Sequence, residues 1–279
     1  MLKILVPTDY SPEAKNACLY AYHFAAYTNS SIVLYHAIPV IPPSAEFPIP
    51  IENYYLSDKE EILLLEEAFH HLLVLHQLDP KKVKYKGAVS VENSISNGIK
   101  NAFDENKCDL VIMGTHGASG FSKIFLGSNT TQLIAETMVP VIAIPKTYRF
   151  EPIYHLIYAS DLENLKEELG ILIPFAEVFH AALELVYFDY ASPNSEHLIL
   201  EAQKFIHQQV YPNIKLSIKK GSIHLSLPEN LKRQLNPSNT QMLVLYRAAH
   251  TWMENLLLGS NAQKMLLDPG MPILVLHKN

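Results

Sequence analysis

An internal repeat constrains the fold of this chain more than any other feature of its sequence. The segment CDLVIMGTHGASGFSKIFLGSNTTQLIAETMVPVIAIP aligns without a gap with the later segment TQMLVLYRAAHTWMENLLLGSNAQKMLLDPGMPILVLH. In this alignment Gly127 and Gly259 are 132 residues apart. An ungapped match of this length indicates that a whole folding unit has been duplicated. We therefore predict two domains, residues 1–148 and 151–279.

Earlier parts of the two units also correspond. KILVPTDYSPEAKNA resembles HLIYASDLENLKEEL, and each reads as a strand that ends in a hydroxyl residue and an aspartate and is followed by a helix. The second pair, SIVLYHAI and ALELVYFD, reads as strands. The third pair, YKGAVSV and KKGSIHL, is predicted to be two strands that each end at a glycine, Gly87 and Gly221. Each unit thus alternates strands with helices.

This alternation predicts the fold class. Runs such as LVIMG and PVIAIP lack an alternating pattern, which is typical of strands covered on both faces. Between strands, SDKEEILLLEEAFHHLLVLHQL opens with Ser57 and Glu60 at capping-box spacing and continues with a helical apolar stripe. We predict an α/β protein with two tandem, doubly wound, parallel five-stranded sheets. The proline-rich IPVIPPSAEFPIPIENYY is predicted to be a long loop after the second strand.

Composition excludes several classes of function. A net charge of −6 argues against general nucleic-acid binding, because affinity for phosphate backbones needs a basic face. No apolar run approaches the length of a membrane span, and the apolar run in MLKILVPTDY is too short for a secretory signal. Two cysteines without a metal-ligand pattern indicate a reducing compartment. We therefore expect a cytoplasmic protein that binds neither nucleic acid nor membranes.

A glycine-rich segment follows the fourth strand of the first unit. Gly114, Gly117 and Gly120 come directly after LVIMG, and Gly127 precedes a helix predicted to start near Ser128. Ligands of open parallel sheets bind at the carboxyl ends of the strands. There, glycines allow a close approach of the backbone, and a helix N-terminus attracts anions. The segment therefore favours phosphate binding, although it has neither the Walker spacing nor the dinucleotide spacing of glycines.

The spacing Gly114-x2-Gly117-x9-Gly127-Ser128 resembles the nucleotide-binding signature of the universal stress protein family, G-x2-G-x9-G-[ST]. KILVPTDYS is similar to the first strand of that family, and MGTHG and PVIAIP are similar to its fourth and fifth strands. The resemblance covers both halves and implies a tandem member of the family. Its fold would be that of the adenine nucleotide alpha hydrolase-like proteins.

The resemblance also implies a set of site residues in the first unit. Adenine and ribose would be held by Pro7, Thr8 and Asp9 and by the backbone of Ala37, with Met113 and Gly114 beside the ribose. The phosphates would be surrounded by Gly117, Gly127, Ser128, Asn129 and Thr130, with His116 also in the loop. Asn129 departs from the family pattern, in which a small apolar residue is more usual. The implied ligand is ATP, ADP or AMP, with or without Mg²⁺.

The second unit departs from the signature much further. At the shared offset, Gly114 becomes Tyr246, Gly117 becomes Ala249 and Gly120 becomes Trp252, so that Gly259-Ser260 alone survives. Bulky rings would occupy the space that phosphates need, and alanine adopts positive φ only with strain. We expect no ATP in the second unit, although Asp161 is retained.

Simpler interpretations stay open for several of these residues. The alternative interpretation of the glycine segment is a tight connection between a strand and a helix. The alternative interpretation of Asp9 and Asp161 is that each is a helix N-cap. For His116 we expect a solvent-facing residue that lines the site, with a general base as the alternative. The pair His70-His71 lacks a zinc-ligand pattern, and Cys18 and Cys108 fit buried apolar positions.

Two functions fit these observations. The first is a nucleotide-binding regulatory protein of the stress response, for which no catalytic residues are evident and any ATP hydrolysis would be weak. The second is a structural or partner-binding protein without a nucleotide. An adenylating enzyme is disfavoured because VPTDYS lacks the S-G-G-x-D-S type of pyrophosphate loop.

The resemblance finally predicts how the two units meet. In the family, the fifth strands commonly pair two subunits at the sheet edge. We expect Val141–Ile144 and Ile273–Leu276 to pair antiparallel and so form a pseudo-dimer within one chain. A homodimer of whole chains is an additional alternative.

Overall fold

The computed structural model describes residues 1–40, 57–115, 128–225, 227–234, 242–247 and 271–277. The strands are β1 (Lys3–Pro7), β2 (Ser31–Pro39), β3 (Lys84–Glu92), β4 (Leu110–Gly114), β5 (Val141–Ile144), β6 (His155–Ala159), β7 (Ala182–Asp189), β8 (Ile214–Lys220), β9 (Met242–Arg247) and β10 (Ile273–His277). The helices are α1 (Pro12–Thr28), α2 (Asp58–Leu75), α3 (Ile95–Asn106), α4 (Ser128–Glu136), α5 (Leu165–Phe179), α6 (Ser195–His207) and α7 (Leu227–Gln234).

These strands form one 10-stranded sheet in the order β3-β2-β1-β4-β5-β10-β9-β6-β7-β8. Within each half all neighbouring strands are parallel. Helix α1 contacts α2, and α3 contacts α4, as expected for a doubly wound sheet in which the first two crossovers cover one face and the next two cover the other. The predicted fold class is confirmed. The helix predicted before β10 lies outside the described residues.

The two halves meet at the sheet edge formed by β5 and β10. These strands pair antiparallel, with Ile142 opposite Leu274, flanked by Ala143 opposite Ile273. Ile142 and Leu274 are themselves equivalent in the repeat, so a pseudo-twofold axis passes between them. The predicted pairing of the fifth strands is confirmed. It joins two apolar edges that would otherwise be exposed templates for aggregation.

Aromatic side chains form a second contact between the halves, between α1 and α5. The rings of Tyr27 on α1 and Phe179 on α5 stack with centroids 5.4 Å apart and an interplanar angle of 9°. Phe24 packs on Phe179 at 5.3 Å and on Phe175 at 6.4 Å. Because such large rings bury much apolar area, this cluster fixes the halves together more firmly than the short strand pair alone would.

The segment between β5 and β6 is fastened to α1. The side-chain amide of Asn16 donates to the carbonyl oxygens of Pro145, at 3.2 Å, and Tyr148, at 3.0 Å. Arg149 in turn donates to Oδ1 of Asn16. Phe150 packs its ring against Tyr20, with centroids 5.2 Å apart. The connection therefore lies against the first half and follows a defined path to the second.

Helix α2 begins as its sequence predicts. The Ser57 N–H and hydroxyl donate to the same carboxylate oxygen of Glu60, at 2.9 and 2.8 Å. One face of the helix is buried over β3 through Leu65, Phe69 and Leu73. The i, i+4, i+8 spacing of these residues is the predicted apolar stripe.

One predicted correspondence between the halves is wrong. Strand β3 does not end at Gly87 but continues five residues further to Glu92, whereas β8 ends directly before Gly221. The two glycines are therefore not equivalent. Gly87 instead allows α2 to approach the strand, since a Cβ there would lie 3.1 Å from the backbone oxygen of Ile62.

The predicted proline-rich loop falls almost entirely in residues 41–56, outside the described residues. In the described part of the chain, no helix combines the length and the apolar character that a membrane crossing requires. Cys18 and Cys108 are both buried and reduced, which confirms the apolar positions predicted for them.

Candidate functional site

The residues after β1 form a tight corner at the carboxyl end of the sheet. The Thr8 N–H donates to the Tyr35 carbonyl on β2 at 2.8 Å, which extends the strand pairing by one residue. The Thr8 hydroxyl accepts from the Tyr10 N–H at 3.1 Å, and Asp9 Oδ1 accepts from the Ser11 N–H at 3.0 Å. Asp9 thus lies exposed two residues beyond the end of β1.

Asp9 is not the cap of α1. The N-cap is Ser11, whose hydroxyl accepts from the Ala14 N–H at 3.2 Å. In the second half, Asp161 accepts from the Glu163 N–H at 3.0 Å, and α5 starts after Asn164. The interpretation of either aspartate as a helix cap is therefore wrong: each closes a turn before its helix.

The end of β2 lies beside this corner. Ala37, whose backbone was implied to contact adenine, pairs with Ser90 of β3 and lies two residues before the end of β2. Nδ1 of His36 lies 2.8 Å from the Thr8 carbonyl oxygen. Since a carbonyl only accepts, Nδ1 carries the hydrogen of this bond. The His36 ring also contacts the ring of Tyr10, with centroids 4.9 Å apart.

Strand β4 and helix α4 supply the opposite side of the site. Gly114 is the last residue of β4, and the preceding Met113 is buried. The Thr130 side chain is 1% exposed and its hydroxyl donates to the Gly114 carbonyl at 3.1 Å. The hydroxyl hydrogen of Thr130, a residue predicted to lie beside the phosphates, is thus used within the protein. Thr130 therefore holds the first turn of α4 against the end of β4.

The predicted helix start near Ser128 is confirmed, because α4 spans Ser128–Glu136. Asn129 is partly buried in its first turn. Nothing is described of the Ser128 side chain, and His116, Gly117 and Gly127 lie outside the described residues. The structure thus brings together the β1, β2 and β4 ends and the N-terminus of α4, and the glycine segment between β4 and α4 stays a prediction.

The second half has the same backbone corner after β6, but a bulky side chain replaces the glycine beside it. The Ser160 N–H donates to the Val186 carbonyl at 3.1 Å, and the Ser160 hydroxyl accepts from the Leu162 N–H at 3.0 Å. At the end of β9, however, Tyr246 takes the position of Gly114. Its ring is 7% exposed and meets the ring of Tyr158 edge-on, with centroids 5.9 Å apart.

Burial raises the pKa of Tyr246, with a further contribution from the charge of Glu168. The ring is therefore a neutral, apolar filler at the place where the first half has a glycine. Ala249, Trp252, Gly259 and Ser260 lie outside the described residues.

Tyr10 and His36 also lie at this corner, and neither was predicted as a site residue. The sequence offered one indication of their position. Tyr10 directly follows Asp9 and His36 directly precedes Ala37, and both of these neighbours were predicted to contact the nucleotide. Among the described residues, no group of three or more His, Cys, Asp or Glu side chains is arranged to hold a metal ion. His70 lies 3.2 Å from the Tyr85 hydroxyl.

Comparisons with known proteins agree with the fold and the repeat. The model of the universal stress protein family matches residues 1–145. Universal stress protein MJ0531 of Methanocaldococcus jannaschii is 28% identical over 149 residues, which are 52% of this chain and 82% of that relative. Universal stress protein MJ0577 of the same organism is 27% identical over 156 residues, which are 52% of this chain and 94% of that relative.

A solved structure matches both halves. The crystal structure of a universal stress protein from Archaeoglobus fulgidus has a TM-score of 0.66 at 16% identity and covers 99% of this chain and 98% of its own. At that identity the match shows the fold. The family model covers more than half of the chain. The chain belongs to the universal stress protein family.

Proposed function

We propose that the first half binds an adenine nucleotide, ATP, ADP or AMP, and that the protein acts through this site as a regulator of the stress response. The observation that carries the proposal is the convergence of three elements at one sheet edge. Asp9 follows β1, Gly114 ends β4, and α4 begins beside Gly114 through the Thr130 bond. An exposed carboxylate can accept hydrogen bonds from the hydroxyl groups of a ribose or the amino group of a base, and the N–H groups at a helix N-terminus can bind phosphate.

The residues between β4 and α4 complete the proposed site. Their spacing, Gly114-x2-Gly117-x9-Gly127-Ser128, supplies backbone N–H groups without side-chain obstruction. The phosphates would be bound by these N–H groups and by the first turn of α4. Mg²⁺ would accompany the nucleotide through its phosphate oxygens, as is usual when the protein supplies no all-carboxylate cage.

We assign no catalytic residue. Thr8, Asp9 and Thr130 each bond to a backbone group and so hold the geometry of the corner and of the first turn of α4. We therefore propose binding without efficient turnover, in the cytoplasm. For the second half, the buried Tyr246 ring favours the other candidate function, a structural or partner-binding role without nucleotide.

Calorimetric titration with ATP, with and without Mg²⁺, tests the proposal on the full chain. The wild type should bind, and Gly117→Trp should lose binding because the indole would fill the space for phosphate. Ala249→Trp is the matched control, since Ala249 is equivalent to Gly117 in the repeat and should not affect binding. Absence of binding in the wild type, or equal losses in both variants, would contradict the proposal.

A further inference from the structure

The Tyr10–His36 ring pair is a side-chain feature of the first half that the proposed phosphate contacts do not use. The ring centroids are 4.9 Å apart with an interplanar angle of 53°. Tyr10 is 36% exposed although it packs against this neighbour. Surface aromatic rings held by a second ring offer a fixed apolar face at low entropic cost to a planar ligand.

Both rings are held in place by the backbone of the corner. The Tyr10 N–H donates to the Thr8 hydroxyl, and His36 Nδ1 donates to the Thr8 carbonyl. Tyr10 has φ 61°, in the left-handed region that bulky residues rarely occupy. One residue, Thr8, therefore positions both rings.

Comparison with the second half shows which part of this arrangement belongs to the backbone and which to the rings. Leu162, the counterpart of Tyr10, has φ 66° and the same bond to a hydroxyl residue, Ser160. Because Thr8 and Ser160 bond to Tyr35 and Val186, the counterpart of His36 is the residue after Val186, namely Tyr187. The positive φ is thus a property of the corner in both halves. The ring pair, with Tyr10 exposed and His36 partly buried, belongs to the first half.

Tyr187 does not replace His36 in function. It is buried, and its hydroxyl lies 3.2 Å from the Ser195 hydroxyl at the start of α6. Leu162 is also buried and aliphatic. The half that carries the glycine signature therefore carries the Tyr10–His36 pair with its exposed tyrosine, whereas the half with Tyr246 has buried residues at both positions.

We infer that Tyr10 and His36 form an aromatic platform that stacks on the base of the bound nucleotide, and that Tyr10 is a specificity-determining residue for nucleotides over bare polyphosphates. The inference rests on the proposed nucleotide site. Tyr10 and His36 both bond to Thr8, which lies between Pro7 and Asp9, so the platform lies at the corner whose residues are proposed to hold the base. Stacking on a π face is tolerant of base identity, and it acts only on ligands that have a base.

The test compares ATP with inorganic tripolyphosphate on the full chain. Tyr10→Leu, which copies Leu162, should weaken ATP binding about tenfold and leave tripolyphosphate binding unchanged. Tyr10→Phe keeps the ring and should bind ATP like the wild type. Tyr190→Leu is the matched control, because Tyr190 is 40% exposed at the same end of the sheet in the second half and should have no effect.

The outcomes separate this inference from the proposed function. If the wild type binds ATP and Tyr10→Leu binds it equally well, the platform is refuted and the site stands. If Tyr10→Leu loses ATP and tripolyphosphate in parallel, Tyr10 supports the corner and does not read the base, which also refutes the platform. If the wild type binds no adenine nucleotide, the site and the platform fail together.

Discussion

The corners after β1 and β6 are nearly the same structure, yet they border different spaces. In each corner a hydroxyl side chain accepts from the N–H two residues on, and an aspartate does the same one step later. In each, the residue after the aspartate has positive φ. Beyond the corners, Gly114 ends β4, whereas the buried Tyr246 lies near the end of β9.

The comparison distinguishes structural features that both halves share from features found in the first half. Because the second half keeps the corner but has the buried Tyr246 at the position of Gly114, the aspartate turn and the positive φ serve the fold in both halves. They carry no functional information alone. The features that distinguish the halves are the glycine at the end of the fourth strand and the ring pair of the exposed Tyr10 and the partly buried His36. Function in this fold depends on a few side chains placed on a shared backbone.

The largest expected effect is on stability and concerns Tyr246. Tyr246→Ala should lower the free energy of unfolding by about 3–5 kcal/mol, because it leaves a cavity beside Tyr158. Chemical denaturation measures this loss. Tyr246→Phe should stay near the wild type, since the Tyr246 hydroxyl has no hydrogen-bond partner within the described ranges. Wild-type stability in the alanine variant would show that the ring is not a packing element.

The next comparison uses the two equivalent aspartates. Asp9→Ala and Asp161→Ala should each destabilise by roughly 1 kcal/mol, because each removes the acceptor for one backbone N–H. Only Asp9→Ala should also weaken ATP binding, by about tenfold. Thermal unfolding and calorimetric titration measure the two effects. If both variants bind ATP like the wild type, Asp9 has no role beyond the turn.

A smaller effect distinguishes the helices that follow the corners. Ser11→Ala should lower stability by about 1 kcal/mol, since Ser11 caps α1 through the Ala14 N–H. Asn164→Ala should have little effect, because the Asn164 side chain makes no capping bond to α5. Denaturant unfolding of both variants checks the difference. Equal losses would mean that the two helix starts are stabilised alike.

The smallest expected effect is a pH dependence specific to the second half. Glu184 lies 3.0 Å from Nε2 of His155, whereas the equivalent residue of the first half is the buried Val33. Burial disfavours the charged form, but the hydrogen bond from Ser217 and nearby cations outweigh it and lower the pKa of Glu184. Its contribution to stability is therefore present above the unfolded pKa and lost as the pH falls through the lowered value.

Glu184→Gln should accordingly flatten the acid side of the stability profile. The free energy of unfolding would be measured from about pH 7 down to about pH 3, which spans the ordinary glutamate range. The variant should differ most from the wild type at neutral pH and converge with it in acid. If the free energy of unfolding of the variant depends on pH with the same slope as that of the wild type, Glu184 does not contribute to the pH dependence.

Much of the fold was predictable because the repeat and the apolar runs can be identified in the sequence itself. Apolar runs mark the buried strands, and the repeat shows that both halves contain them. The alternation of parallel strands and helices in each half was predicted from these features, whereas the antiparallel pairing of β5 with β10 was implied by the resemblance to the family. The mistake over Gly87 arose because a glycine was interpreted as a strand end. Its actual role, the close approach of α2, depends on a contact distant in sequence.

The site was less predictable for a related reason. Ser11 and Asp9 both suit an N-cap, and only the three-dimensional corner decides that Ser11 is the cap. The Tyr27–Phe179 stack and the Tyr10–His36 pair join residues on different elements. The spacing of Tyr20, Phe24 and Tyr27 on one helix face was the available signal for the contact between the halves.

The central claim is one nucleotide site per chain, located in the first half. Photoaffinity labelling with an azido-adenine nucleotide, followed by peptide mapping, tests it most directly. The account predicts label in peptides from residues 1–148, suppressed by excess ATP and absent in Gly117→Trp. Specific label in peptides from residues 151–279, whether alone or alongside the first half, would contradict it.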